Sequence, residues 1–183
     1  MRDFFRKKEV KETVSIGLHV VAAIVIALFI INFVGTRSSV AGTSMEPTLS
    51  DSDGLIVERI SYRFHGPERF DIVVFPHIDG SGDHLIKRVI GLPGESVQII
   101  SGMIYINGVL MQDKYGSELM KHAGIASFPI YLGEDEYFVL GDNRNNSLDS
   151  RDPRVGALHR DEFEGRAFVR IWPLSDFGLI GHE

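Results

Sequence analysis

There is no cysteine anywhere in the 183 residues. That excludes disulfides, thiol nucleophiles and thiolate metal sites, so any exported part folds without covalent cross-links. Lysine is scarce as well: beyond the N-terminal segment only Lys87, Lys114 and Lys121 occur. Charge is missing altogether from Val14 to Val34, "VSIGLHVVAAIVIALFIINFV", 21 residues without Asp, Glu, Lys or Arg. After that stretch, helical periodicity is hard to find.

The uncharged run comes first. As a helix rising ~1.5 Å per residue it would measure roughly 31 Å, close to the ~30 Å apolar thickness of a bilayer. The alternative, a buried core helix, rarely lacks charge over such a length. Residues 1–13 hold Arg2, Arg6, Lys7, Lys8 and Lys11, while only Arg37 follows closely on the far side. This asymmetry predicts three regions: a cytoplasmic N-terminus at 1–13, a single transmembrane anchor at 14–34, and an extracytoplasmic domain at 36–183. A basic start, an apolar run and "SVA" at 39–41 also imitate a cleaved secretory signal. The run exceeds the usual ~7–15 residues of such signals, and cutting after Ala41 would leave Gly42 as the new N-terminus. An uncleaved anchor, with membrane lipid as a partner, is therefore expected.

Five of the 19 Lys and Arg and three of the 25 Asp and Glu precede residue 36, which leaves the outer part near −8. Such a balance excludes nucleic acid as the expected partner. Its length suffices for a self-contained core.

The outer sequence reads as short strands with Gly, Pro and Asn punctuation. The runs are "GLIVERI" at 54–60, "DIVVF" at 71–75, "HLIKRVIG" at 84–91, "SVQII" at 96–100, "MIYING" at 103–108, "EYFVLGD" at 136–142 and "RAFVRIWPL" at 166–174. Ser101-Gly102 and Asn107-Gly108 signal hairpins. This punctuation predicts an all-β barrel or sandwich. Residues 112–133 are irregular, with a short helix expected around "YGSELMKH" at 115–122.

"GTSMEPTL" at 42–49 is the first stretch with chemical promise. Gly42 permits unusual backbone angles, and Pro47 fixes its own φ and biases Glu46 away from helix. Ser44 would then sit in a stiff, extended loop; an ordinary turn serine is the plainer reading. Seven histidines are present, but none falls in a triad signature. G-x-S-x-G fails because position 46 is Glu, and S-x-x-K fails because position 47 is Pro. Among the outer lysines, Lys87 is distinctive. Alternation places it on one strand face with Leu85 and Val89. Its head either snorkels to water or is buried. Burial lowers a lysine pKa by up to ~3–5 units, enough to let Lys87 exist neutral and take a proton from Ser44. The third stretch, "GDNRNNSLDSR" at 141–151, has too many fixed donors and acceptors for a mere turn. It lacks the sixth-place Gly and closing Glu of a calcium loop, so a hydrogen-bonded scaffold is expected.

"GTSMEPTL", "HLIKRVIGLPGE" and "GDNRNNSLDSR", in this order behind one anchor and together with "RFDIVVF" and "GRAFVRIWPL", resemble the boxes of bacterial type I signal peptidases, in the compact form of Gram-positive bacteria. The resemblance implies a mainly β fold of two antiparallel sheets behind one N-terminal transmembrane helix, and a membrane-bound Ser-Lys endopeptidase that removes signal peptides from exported preproteins beside the translocation machinery, with no cofactor and no metal. Residue by residue, it implies Ser44 as nucleophile, Lys87 as general base, Ser147 as the hydroxyl positioning the lysine, and Arg88, Asp142, Asp149 and Arg151 as structural support. Gly42, Met45 and Pro47 fall in the expected substrate-binding loop, and Met45 is expected to dip toward lipid. One departure is clear. Some members carry a side-chain hydroxyl two residues before the nucleophile to complete the oxyanion hole, and that position here is Gly42. Two other readings stay open: a Ser-Lys processor dedicated to one client class, and a non-catalytic anchored β-domain that binds export partners.

Overall fold

Strand pairing in the computed structural model is antiparallel throughout, in two sheets; residues 14–26, 35–77 and 82–181 are described. The larger sheet runs β1(Thr36–Ser39), β2(Gly54–Glu58), β11(Gly165–Trp172), β3(Ile72–Pro76), β4(His84–Gly91), β9(Glu136–Leu140) and β10(Leu158–His159), with β12(Gly178–Leu179) also on β11. The smaller sheet runs β7(Val109–Leu110), β6(Met103–Ile106), β5(Ser96–Ile100) and β8(Ile130–Tyr131).

The small sheet follows from its turns. Ser101 and Gly102 have φ of 51° and 79°, and Asn107 and Gly108 have φ of 52° and 76°. Positive φ at both central residues matches the twist of the flanking strands and joins β5 to β6 and β6 to β7 by two-residue hairpins.

Three apolar clusters fill the domain. One joins β2, β3 and β4 to the serine loop through Val40, Met45, Leu49, Leu55 and Ile86. A second lies on the other face of β3, β4 and β9, with Val73, Phe75, Val89, Val139 and Phe163. The third packs the small sheet against the large one through Ile90, Val97, Ile104, Phe138 and Leu140. Ile86, Val89 and Ile90 each enter a different cluster, so β4 is covered on both faces. That is why apolar residues fall on both faces of "HLIKRVIG", and why the two charges among them, Lys87 and Arg88, are buried as well.

Three expectations are corrected. Residues 115–122 form no helix; the short helical turn lies later, at Gly124–Ser127. The backbone amides of 115–122 are drawn to fixed external acceptors instead of to carbonyls four residues back. Tyr115 and Gly116 donate to Asp113 Oδ1, Met120 to Gly102 O and Lys121 to Asn145 Oδ1. Met45 does not dip toward lipid: it is 1 % exposed and packs in the first cluster. Residues 44–48 turn rather than extend, with Glu46 N donating to Thr43 O and Leu49 N to Met45 O, and this folds Met45 and Leu49 inward.

Of the predicted span 14–34, residues 14–26 are helical, while 27–34 and the segment 1–13 lie outside the described residues. Among the described residues no helix is long and apolar enough to cross a membrane.

Candidate active site

The middle strand β4 carries the chemistry. Lys87 lies directly across from Val73 in the β3–β4 register and shares its face with Leu85 and Val89. These apolar neighbours leave it 2 % exposed. Lys87 Nζ donates to Ser44 Oγ at 2.8 Å and to Ile86 O at 2.8 Å. Loss of water around the ammonium lowers the Lys87 pKa to about 8, while the more distant carboxylates of Asp149 and Asp142 pull it upward.

Ser44 is half-buried, in a loop pinned to the 141–151 segment. Asn143 N donates to Ser44 O at 3.0 Å. Asn143 Nδ2 donates to Thr43 O at 3.1 Å, and Asn146 Nδ2 to Thr43 Oγ1 at 2.9 Å. Gly42 has φ of +85° and gives its N–H to Asp51 Oδ1 at 2.7 Å. Pro47 is exposed and follows a cis peptide bond.

Gly141 is the point of closest approach. A Cβ there would lie 2.5 Å from Ser44 O and 2.3 Å from Ser147 Oγ, which no side chain tolerates. Gly141→Ala is therefore expected to push the serine loop off β4. Catalytic activity should fall at least about tenfold, while the small sheet keeps its hydrogen-exchange protection. Wild-type turnover from this variant would show that the loop contact is dispensable.

Two buried ion pairs frame the site. Arg88 grips Asp142 through Nε–Oδ1 at 2.8 Å and Nη2–Oδ2 at 2.7 Å, with both side chains wholly buried. Arg88 also donates to Phe70 O and lies 3.6 Å from the Tyr115 ring centroid, and Thr48 Oγ1 donates to Asp142 Oδ2 at 2.6 Å. Arg151 grips Asp149 through Nε–Oδ1 and Nη2–Oδ2, both at 2.8 Å, and Asp149 Oδ2 also accepts from Gly141 N. Each fork fixes one side of Gly141, and both carboxylates are satisfied, as burial demands. The Ser147 hydroxyl lies beside Gly141, but it is buried without a hydrogen bond and makes none to Lys87.

Sequence reasoning passed over Thr48, Tyr115 and Arg144. Arg144 is 1 % exposed; its Nε donates to Gly141 O at 3.0 Å and its Nη1 pairs with Asp113. Thr48 meets Asp142 over 94 residues, Arg144 meets Asp113 over 31 and Tyr115 meets Arg88 over 27 (115 minus 88), and no local pattern announces such contacts.

A buried amine beside a hydroxyl, held by the polar loop 141–151 that follows β9, is the arrangement a serine–lysine hydrolase needs. The sequence profile of the family described as "Signal peptidase, peptidase S26" matches residues 13–172. The chain belongs to this family. A Synechocystis protein named "Probable signal peptidase I-2" is 39% identical, with 98% of this chain and 84% of that one covered. Signal peptidase I of Bacillus amyloliquefaciens is 34% identical, with 86% of each chain covered. A solved signal peptidase I from Enterococcus faecalis aligns at 34% identity and a TM-score of 0.46, over 56% of this chain and 97% of that one. With signal peptidase relatives of this likeness over most of its length, the chain is a peptide-bond hydrolase of the signal peptidase I kind. Among the described residues of this family member, no group of three His, Asp or Glu converges as a bound metal requires.

Proposed function

We propose that the chain cleaves signal peptides from exported preproteins by a Ser44–Lys87 mechanism, anchored through residues 14–34 with 36–183 on the outer membrane face. The observation that carries this reading is the 2.8 Å contact between a desolvated amine and a half-buried serine hydroxyl. Neutral Lys87 takes the Ser44 proton as Ser44 Oγ bonds to the scissile carbonyl carbon. The carbonyl oxygen becomes an oxyanion, stabilised by donors that include the Ser44 backbone N–H. As the oxyanion collapses the C–N bond breaks, and Lys87 returns its proton to the leaving amine. Water, deprotonated by Lys87, then attacks the acyl carbon and releases Ser44. Ser147 stands beside Gly141 with its hydroxyl unused, and we assign it to the remaining amine position during turnover. Asp142, Arg88, Asp149 and Arg151 hold the loop, and no cofactor takes part. The extended preprotein adds as a strand next to the Ser44 loop, near the translocation machinery.

With its pKa near 8, Lys87 is neutral in about a tenth of molecules at pH 7, against about one in 2,500 for an ordinary lysine near 10.4. Since the base acts only when neutral, kcat/KM is expected to rise with pH through a midpoint near 8 and then level off. A limb near 6.5 would implicate a histidine and overturn the assignment. Mass-spectrometric reading of product N-termini from several secreted precursors distinguishes a general enzyme, which cuts all of them, from a processor that cuts one.

A further inference from the structure

The oxyanion is one donor short. Gly42 carries no hydroxyl, and its N–H is committed to Asp51 at 2.7 Å. A single backbone N–H from Ser44 would be left to meet the developing charge alone.

The next residue fills the gap. Thr43 is held on both of its acceptors by amides of the 141–151 loop: Asn143 Nδ2 on its carbonyl at 3.1 Å and Asn146 Nδ2 on its hydroxyl at 2.9 Å. Because the hydroxyl accepts from Asn146, its own proton points elsewhere, and among the described residues Thr43 Oγ1 donates to nothing. Thr43 is exposed, so its hydroxyl is open to a group arriving from solvent. Only four covalent bonds separate Thr43 Oγ1 from Ser44 N, which keeps the two within about 5 Å of each other by covalent geometry alone. A hydroxyl that already accepts a hydrogen bond is also a better donor, because chained bonds polarise one another.

We propose that Thr43 Oγ1–H is the second oxyanion donor, with Asn146 and Asn143 as its positioning residues. This rests on Ser44 being the nucleophile. As Ser44 Oγ bonds to the carbonyl carbon, the C=O electron pair moves onto oxygen, where Thr43 Oγ1–H and Ser44 N–H donate to it. On collapse the pair returns, the C–N bond breaks, and Thr43 keeps its proton throughout. Asn146 orients the hydroxyl; Asn143 fixes the peptide that carries the Ser44 N–H.

The test uses the full-length protein in detergent with a fluorogenic signal-peptide substrate. Thr43→Val, nearly the same shape, is expected to lower kcat about 10²–10³-fold, as loss of one oxyanion donor does elsewhere. KM, melting temperature and the lysine limb of the pH profile should stay in place, and Thr43→Ser should restore kcat to within about tenfold. Asn146→Ala should cost about tenfold in the wild-type background and nothing further beside Thr43→Val. A Thr43→Val enzyme within about threefold of wild type would overturn the proposal. So would an Asn146→Ala loss that persists beside Thr43→Val, or a loss in Thr43→Val that comes with a shifted pH limb or a lower melting temperature. Ser44→Ala run in parallel separates the two levels. If it still cleaves, the nucleophile assignment and this proposal fall together; if it is inert while Thr43→Val is normal, only this proposal falls.

Discussion

Lys87→Met is expected to abolish peptidase activity and leave the domain folded. A positioned general base is worth about 10²–10⁴-fold, and here the same amine must also reprotonate the leaving group and activate water, so a loss at or beyond the upper end is expected. Ser44→Ala should lose as much, and the double variant no more than either, because the two groups act as one unit. Methionine fills nearly the same volume and suits the apolar setting of Leu85, Val89 and Val73. It also removes an amine whose charged form is destabilised by burial. The sign follows from the pKa order. The folded value, about 8, is below the unfolded value, about 10.4, so between these pH values the unfolded chain binds more protons and wild-type stability rises with pH. Below pH 8 the folded protein bears the full cost of a buried charge, and there Lys87→Met should melt at or above the wild type. Loss of activity with loss of fold would show instead that Lys87 is structural.

The second large effect falls on stability. Asp142→Ala removes the carboxylate that takes two guanidinium donors from Arg88 and the hydroxyl of Thr48, and Arg88 is left charged and wholly buried. Breaking a buried pair on one side costs about 3–5 kcal/mol. At about 2–4 °C per kcal/mol for a chain of this size, the melting temperature should fall by roughly 6–20 °C. Activity should drop with it, because Arg88 follows Lys87 on β4 and Asp142 follows Gly141, the residue on which the serine loop rests. Replacing both partners, Arg88→Met with Asp142→Leu, should recover part of the stability, since no uncompensated charge then remains. Calorimetry of the three proteins measures this directly. A drop under about 1 kcal/mol for Asp142→Ala would mean that water replaces the missing carboxylate.

The legible features were those set by short-range rules. Period-two patterning and turn residues located β2, β3, β4, β5, β6, β9 and β11, and Ser101-Gly102 and Asn107-Gly108 announced their hairpins because φ > 0 suits few other residues. The choice of Lys87 followed from Leu85 and Val89 on its own face, although the strand pattern alone left burial and snorkelling equally open; Val73 across the sheet decides for burial. Long-range polar contacts were illegible. Thr48 meets Asp142 over 94 residues and Arg144 meets Asp113 over 31, and neither spacing has a local signature. The stretch 115–122 has fair helix formers, yet acceptors elsewhere in the fold capture its amides. Met45 beside an expected membrane reads as a lipid contact until the turn at 44–48 folds it into the core.

The buried, readily neutralised amine of Lys87 is best tested by its own titration. The full-length protein would carry ¹⁵N-labelled lysine, and the side-chain Nζ resonance absent from Lys87→Met would be followed from pH 6 to 11. A midpoint near 8, at least two units below an ordinary lysine near 10.4, is the expected result. A midpoint near 10.4 would contradict it.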